Sequence, residues 1–81
     1  MASIQIRYFA QLKELAGQAE ETFAIDDSST PAQVFQKLAE RHHFPHSLAD
    51  LRVAINHNFG ETDQPLRDGD TLAFIPPVSG G

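Results

Sequence analysis

The histidines of the stretch HHFPH are the first residues whose types and spacing could do chemistry. His42, His43 and His46 lie close together, and imidazole groups bind zinc and nickel. However, Pro45 interrupts the helical pattern, so the i, i+4 geometry of a helical metal site does not follow from the spacing. No convincing fourth ligand accompanies them. The alternative is that His42 and His43 close a helix whose C-terminal dipole favours cations, and we predict that structural role.

The stretch DGD places two carboxylates, Asp68 and Asp70, on either side of Gly69. A calcium loop needs further oxygen ligands and a closing glutamate at fixed positions, and the sequence lacks them. Because Asp-Gly before a strand is ordinary turn chemistry, we predict a turn. The sequence also has no glycine-rich phosphate loop, GxSxG or HExxH motif, and it predicts no active site within the domain.

The last stretch of chemical interest is PPVSGG, at residues 76–81. Pro76 and Pro77 cannot donate ladder hydrogen bonds, so the last strand should end there. Gly80 and Gly81 carry no Cβ, and the extended stretch reaches at most about 20 Å. Such an arm could bring the carboxylate of Gly81 into a narrow channel of a partner. The alternative is an inert terminus that frays. The other residues of the arm are Val78 and Ser79.

Length and composition restrict the class of protein. At 81 residues the chain should form one domain, which we divide into a folded part, residues 1–77, and a tail, residues 78–81. No apolar run is long enough for a transmembrane helix, and the first residues lack the layout of a signal peptide. We therefore expect a soluble, cytoplasmic protein that has no membrane partner.

The absence of cysteine excludes disulfides, thiolate nucleophiles, cysteine-ligated zinc and iron–sulfur clusters. The net charge is −5, and the six Lys and Arg residues are scattered along the chain. This charge pattern argues against a nucleic-acid partner, because such surfaces concentrate positive charge. The acidic balance instead favours a basic protein as the partner.

Four segments of alternating apolar residues predict β-strands. They cover residues 3–9, 20–25, 52–56 and 71–75. Side chains at every second position should point into the core. This predicted inward set consists of Ile4, Ile6, Tyr8, Phe23, Ile25, Val53, Ile55, Leu72 and Phe74.

Two further segments have helical periodicity. The shorter covers residues 10–17 and ends at Gly17. The longer covers residues 30–43, where Thr30 is the N-cap and Gln33 completes a capping box. One sheet packed on one principal helix fits this order of elements, and β-grasp and ferredoxin-like folds both remain open. The apolar residues at helical spacing are Leu12, Leu15 and Ala16 in the first helix, and Val34, Phe35, Leu38 and Ala39 in the second.

Three apolar side chains do not belong to the predicted core. Phe9 and Ile75 occupy outward-facing positions in the alternation of their strands, and Phe59 lies in a segment predicted as a polar loop. If the helix covers one face of the sheet, these three form an apolar patch on the other, which is typical of a protein interface. The alternative is a second small core under the short helix, which would include Phe9.

Three stretches of the sequence resemble the small subunit of molybdopterin synthase, the MoaD family. They are RYFAQLKELAG near the start, VAIN in the third predicted strand and PLRDGDTLAFIPPVSGG at the end. The resemblance extends from Ile4 to Gly81 and is weakest around the histidines. The related thiazole sulfur carriers share the Gly-Gly end but usually lack the Pro-Pro pair before it.

The resemblance implies an α+β protein with a ubiquitin-like β-grasp fold, in which a mixed sheet packs on one main helix. It also implies that the carboxylate of Gly81 is the reacting group. A ubiquitin-activating-like adenylyltransferase would adenylate this carboxylate with ATP, and sulfur from a sulfurtransferase donor would replace AMP to give a thiocarboxylate. The chain itself would bind no cofactor.

The partner implied by the resemblance is the large subunit of molybdopterin synthase, in an assembly expected to be a heterotetramer. Sulfur would pass there to a cyclic pyranopterin monophosphate during molybdenum cofactor biosynthesis. Phe9, Phe59 and Ile75 are expected to dock on that subunit, which would supply the acid–base residues. Alone, this chain would not be a catalyst.

Three alternatives remain open on the residues themselves. The chain could carry sulfur for another pathway, such as the synthesis of thiazole or cysteine or the thiolation of tRNA. It could be a ubiquitin-like modifier that forms isopeptide bonds with lysines. It could also be a plain interaction module whose tail is inert.

Overall fold

The computed structural model describes residues 2–26 and 28–76. The predicted tail, residues 78–81, and Pro77 lie outside the described residues, so the division into folded part and tail stays a prediction. Within the described ranges, neither α-helix is long and apolar enough to cross a membrane. The elements are β1 (Ala2–Tyr8), α1 (Ala10–Ala16), β2 (Glu20–Ile25), α2 (Pro31–His42), a 3₁₀ turn (Leu48–Asp50), β3 (Arg52–Ile55), β4 (Asn58–Phe59) and β5 (Thr71–Ile75).

The five strands form one mixed sheet in the order β2-β1-β5-β3-β4. β5 runs parallel to β1, and the other three pairings are antiparallel. Because β1 and β2 are direct neighbours, the ferredoxin-like alternative, which splits its first two strands, is excluded. The fold is the β-grasp, as the resemblance implies.

The core lies between α2 and one face of the sheet, which we call the inner face. The register places Ile6 of β1 opposite Leu72 of β5, and Tyr8 opposite Phe74. All nine side chains predicted to point inward are buried. Val34, Phe35 and Leu38 of α2 pack on them in a single cluster, so strand alternation and helical periodicity together predicted this core correctly.

The start of α2 has the predicted capping box. Thr30 Oγ1 accepts a hydrogen bond from the Gln33 backbone N–H at 3.3 Å, and Gln33 Oε1 accepts one from the Thr30 N–H at 3.0 Å. Pro31 occupies the first turn, where a missing N–H costs nothing. At the other end, His43 is the C-cap with a left-handed φ of 58°. The helix therefore ends before Pro45, as predicted.

The predicted short helix is present as α1, and the structure shows which of its apolar residues face the core. Leu12 is fully buried, but Leu15 is 45% exposed. Positions 12 and 16 lie on nearly the same side of a helix, whereas position 15 is turned away to the other side of Leu12. The short helix therefore faces the core with Leu12 and Ala16 and leaves Leu15 outside.

One correction concerns Phe59, which lies in β4 and not in a loop. Asn56 and His57 have left-handed φ angles of 52° and 73°, and Ile55 pairs with Asn58 across them. Two central residues with positive φ are typical of the type I′ turn of a tight hairpin. The sequence did not indicate β4, because the strand has only two residues and His is unusual in such a turn.

Shortening Leu38 tests whether α2 is held mainly by its apolar stripe. Leu38→Ala should lower the free energy of unfolding by about 2–5 kcal/mol, because the residue is fully buried and its truncation leaves a cavity. Lys37→Ala, at the exposed neighbouring position, is the control and should change stability by no more than about 0.5 kcal/mol. Urea unfolding followed by circular dichroism measures both, and equal effects would contradict this packing.

Candidate functional site

The candidate site is the outer face of the sheet, which is the face turned away from α2. Strand register aligns four of its side chains in one row. Arg7 of β1 pairs with Ala73 of β5, Ala73 with Ala54 of β3, and Ala54 with Phe59 of β4. The row therefore has two alanines at its centre and larger side chains at both ends, a profile that leaves a depression in the middle of the sheet.

A hollow with a volume of about 230 Å³ occupies this depression. Phe9 is 38% exposed and Phe59 is 71% exposed, while Ile75 is partly buried. The three residues predicted to bind a partner are thus brought together around one hollow, although two of them are distant in sequence from the third. Its lining consists of Arg7, Phe9, Ala54, His57, Phe59, Thr71, Ala73 and Ile75.

Two arginines lie over the two exposed rings of this face. The Arg7 Cζ atom is 5.6 Å from the centre of the Phe9 ring, and the Arg52 Cζ atom is 5.4 Å from the centre of the Phe59 ring. Both distances are within the range of cation–π attraction. In the sequence these arginines are two of six scattered basic residues. Strand alternation was the signal that could have found them, because positions 7 and 52 lie opposite the inward residues of their strands.

The chain leaves the sheet beside this face. β5 ends at Ile75, and Pro76 follows, as predicted from the inability of proline to donate a ladder hydrogen bond. Pro76 lines a second hollow together with Arg52, Phe59 and Ile75. Pro76, the first residue of the PPVSGG arm, is therefore next to the predicted partner-binding residues Phe59 and Ile75. Residues 77–81, including Gly80 and Gly81, lie outside the described residues.

A polar cluster around Glu21 occupies one end of the inner face. The Tyr8 hydroxyl donates a hydrogen bond to Glu21 Oε1, and His42 Nε2 lies 3.0 Å from the same oxygen. Arg41 Nη1 lies 3.3 Å from Glu21 Oε2. The His42 ring also stacks on Phe44. The cluster thus ties the end of α2 to β1 and β2, which is a structural role for His42.

The environment of this cluster shifts two pKa values. Burial, with the hydrogen bond to Glu21 as a second cause, raises the pKa of the Tyr8 hydroxyl well above its usual range. Burial alone would also raise the pKa of Glu21. However, hydrogen bonds from Tyr8 and His42 and the charges of His42 and Arg41 outweigh it, so the pKa of Glu21 lies below its ordinary value of 4.5.

The other two histidines have separate surroundings. His43 is exposed at the end of α2, and His46 Nε2 lies 3.0 Å from Gln11 Oε1. Across residues 2–26 and 28–76, no three His, Cys, Asp or Glu side chains are grouped so as to hold a metal ion. The three histidines of HHFPH are therefore not grouped: His42 contacts Glu21, His46 contacts Gln11, and His43 is exposed.

The DGD stretch forms the predicted turn. Gly69 has a left-handed φ of 86°, a conformation that favours glycine. The Ser3 backbone N–H donates to Asp68 Oδ1 at 2.9 Å, and the Arg67 backbone N–H donates to Asp70 Oδ2 at 2.8 Å. Both carboxylates thus accept hydrogen bonds from the backbone of their own domain, which holds the turn that leads into β5.

Comparisons with known proteins show which family the chain resembles. The sequence profile of the ThiS family matches residues 6–81. The chain is 36% identical over 80 residues to the molybdopterin synthase sulfur carrier subunit of Escherichia coli (strain K12), covering 96% of this chain and 99% of that protein. It is also similar to the crystal structure of SAMP1 from Haloferax volcanii, with a TM-score of 0.83 and 27% identity over 99% of this chain and 100% of that one.

A further structure shows the same fold within a complex. It is the protein–protein complex of subunits 1 and 2 of the molybdopterin-converting factor from Helicobacter pylori, to which this chain aligns with a TM-score of 0.68. The identity is 24%, and the alignment covers 98% of this chain and 99% of that one. At 24% identity, this structural similarity shows that the two chains share a fold and shows nothing further.

The low pKa of Glu21 predicts how stability depends on pH. Because the folded-state pKa is below the ordinary value of 4.5, the ionised carboxylate stabilises the fold above that pH, and this stabilisation is lost as the pH falls through the folded-state pKa. Glu21→Gln should therefore cost roughly 1–3 kcal/mol at neutral pH, and the difference from the wild type should shrink in acid.

Urea unfolding at a series of pH values from neutral to about pH 3 measures this difference. Glu20→Gln is the matched control, because Glu20 is the exposed neighbouring carboxylate on the same strand. A cost for Glu21→Gln that stays constant across the series would show that ionisation of Glu21 does not stabilise the fold.

Proposed function

The chain belongs to the ThiS family, and from this premise we propose that it is the sulfur carrier subunit of a molybdopterin synthase. The E. coli relative with that name aligns over 96% of the chain, and Chlamydomonas reinhardtii and human proteins with the same name are 33% and 30% identical. The single observation that carries the proposal further is structural: Pro76 leaves the sheet beside the hollow that Phe9, Phe59 and Ile75 surround.

The reacting group in this proposal is the carboxylate of Gly81. A carboxylate is a poor electrophile, so its oxygen first attacks the α-phosphorus of ATP on an adenylyltransferase partner and releases pyrophosphate. Sulfur at the sulfide level, delivered by a sulfurtransferase donor, then attacks the acyl carbon of the adenylate. AMP leaves with the bonding electron pair, and a thiocarboxylate remains. ATP is bound by the activating enzyme, and this chain needs no cofactor of its own.

The sequence composition fits this chemistry. The chain has no cysteine, so it has no thiol side chain that could hold sulfur as a persulfide. Gly80 and Gly81 lack side chains, which lets the end of the arm pass through a narrow channel. The other four residues of the arm provide the length between the sheet and the reacting group. They are Pro76, Pro77, Val78 and Ser79.

The partner that receives the sulfur is proposed to be the large subunit of the synthase. The outer face would dock on it through Phe9, Phe59 and Ile75, because exposed aromatic side chains around a hollow are typical of interface centres. The large subunit would supply the acid–base residues and the pterin pocket, in a heterotetramer located in the cytoplasm. No nucleic acid or membrane takes part.

A second candidate function is protein modification. The chain is 27% identical to SAMP1, which another of its crystal structures names small archaeal modifier protein 1. In that case a lysine amine would attack the acyl carbon of the adenylated Gly81, AMP would leave with release of the amine proton, and an isopeptide bond would form. Lysine-linked conjugates in a cell lysate, absent when Gly81 is deleted, would favour this function over sulfur transfer to a pterin.

Intact mass spectrometry tests the proposed thiocarboxylate. Protein from cells that contain the activating enzyme should take up a single thiol-specific alkylating group, which should map to the C-terminal peptide because the chain has no cysteine. A variant that lacks Gly81 should take up none. Absence of the adduct on the wild type, with an activating enzyme shown to be working, would contradict sulfur carriage.

Truncation of Phe59 tests the docking face. Phe59→Ala should weaken binding to the large synthase subunit at least about tenfold, because Phe59 is a highly exposed aromatic residue beside the hollow. Leu15→Ala is the control, since Leu15 is also exposed and apolar but does not line the hollow. Titration calorimetry gives both affinities, and equal losses would argue against this face as the docking surface.

A further inference from the structure

Resting on the proposed function, we propose that Arg7 and Arg52 make the outer face selective for a partner surface that carries carboxylates beside an apolar centre. The proposed occupant is the docking surface of the large synthase subunit. A bulky apolar side chain of that surface would fill the 230 Å³ hollow, and acidic side chains on either side of it would contact the two guanidinium groups.

The positions of the two arginines support this assignment. Arg7 lines the hollow from the β1 side, and Arg52, on β3, lines the neighbouring hollow where the chain leaves the sheet. His57 also lines the first hollow, whose lining contains no Asp or Glu. The apolar centre of the face is therefore flanked by basic side chains on both sides.

The acidic groups near the two arginines do not neutralise them through contact ion pairs. Glu20 is the strand partner of Arg7, and Asp50 lines the second hollow with Arg52. Among residues 2–26 and 28–76, the ion pairs within 4.0 Å join Arg41 and His42 to Glu21, on the inner face. The positive charges at the outer face are thus available to a partner.

The aromatic rings place the guanidinium groups for such a contact. The Cζ atoms of Arg7 and Arg52 lie 5.6 and 5.4 Å from the centres of the Phe9 and Phe59 rings, within the range of cation–π attraction. A guanidinium group carries N–H donors in a planar fork that matches the two oxygens of a carboxylate. Phe9 and Phe59 therefore hold Arg7 and Arg52 at the outer face, where these donors can meet an acidic partner.

Selectivity follows from what docking does to these charges. Closing the interface removes water from both guanidinium groups, and a charge buried without a counter-charge destabilises the complex strongly. A partner surface that is apolar or basic at these two places is therefore rejected. The net charge of −5 by itself favours a basic partner, but the hollow at which contact occurs is lined by Arg7 and by no Asp or Glu.

Charge reversal at both arginines tests this proposal. Arg7→Glu combined with Arg52→Glu should slow association with the large synthase subunit from the same genome at least about tenfold at low salt. Added salt should slow association of the wild type and should not slow that of the double variant. Surface plasmon resonance over a range of salt concentrations measures both rates.

Two further double variants keep the result interpretable. Lys37→Glu with Arg67→Glu makes the same change in net charge at exposed positions that line neither hollow of the outer face, and it should change the association rate less than about threefold. Arg7→Gln with Arg52→Gln removes both charges without adding new ones and should give an intermediate rate. Circular dichroism shows whether each variant is folded.

The outcomes separate this inference from the function on which it rests. Equal slowing by the arginine pair and the control pair, or association of the wild type that is insensitive to salt, would overturn the proposed selectivity alone. Failure of the wild type to bind the large subunit would overturn both. A thiocarboxylate found on Gly81 in that second case would still identify a sulfur carrier, for a different acceptor.

Discussion

The parallel pairing of β1 with β5 is the constraint on which the rest of the structure depends. It joins the beginning of the described chain to its last strand, through a register that places Ile6 beside Leu72 and Tyr8 beside Phe74. These four side chains form the centre of the core. The same pairing sets which residues of β5 face outward, so Ile75 reaches the outer face at the point where the sheet ends. A shift of one residue would exchange the two faces.

The alternation of inward and outward side chains along the strands therefore serves two purposes in this small domain. Large apolar side chains at the inward positions pack on α2, while Ala54 and Ala73 at the central outward positions leave space. Small residues next to exposed aromatic ones create relief on a surface that would otherwise be flat. The outward alternation of the described strands thus shapes a binding surface on the side of the sheet that α2 does not cover.

Local signals in the sequence predicted the local structure well. The capping box of Thr30 and the turn at Gly69 each depend on residues that are neighbours in sequence. Both can therefore be predicted without knowledge of any tertiary contact. The exposure of Leu15 could not be predicted, because helical spacing alone does not say which side of a two-turn helix faces the core. Topology was beyond local reasoning, since the pairing of β1 with β5 joins distant segments; the family resemblance supplied it. Likewise, the sequence alone indicates no shared role for Arg7 and Arg52. The strand register is needed to show that they lie on one face with the rings of Phe9 and Phe59.

The central position of β5 also affects how this protein is made. Residues 71–75 are synthesised after every other strand, yet the sheet has its middle strand missing until they emerge from the ribosome. Long-range pairing of this kind forms slowly and late, so a nascent chain stopped before residue 71 lacks its core, its outer face and its arm together. A chain in which β5 is paired with β1 and β3 has therefore been translated through the whole sheet.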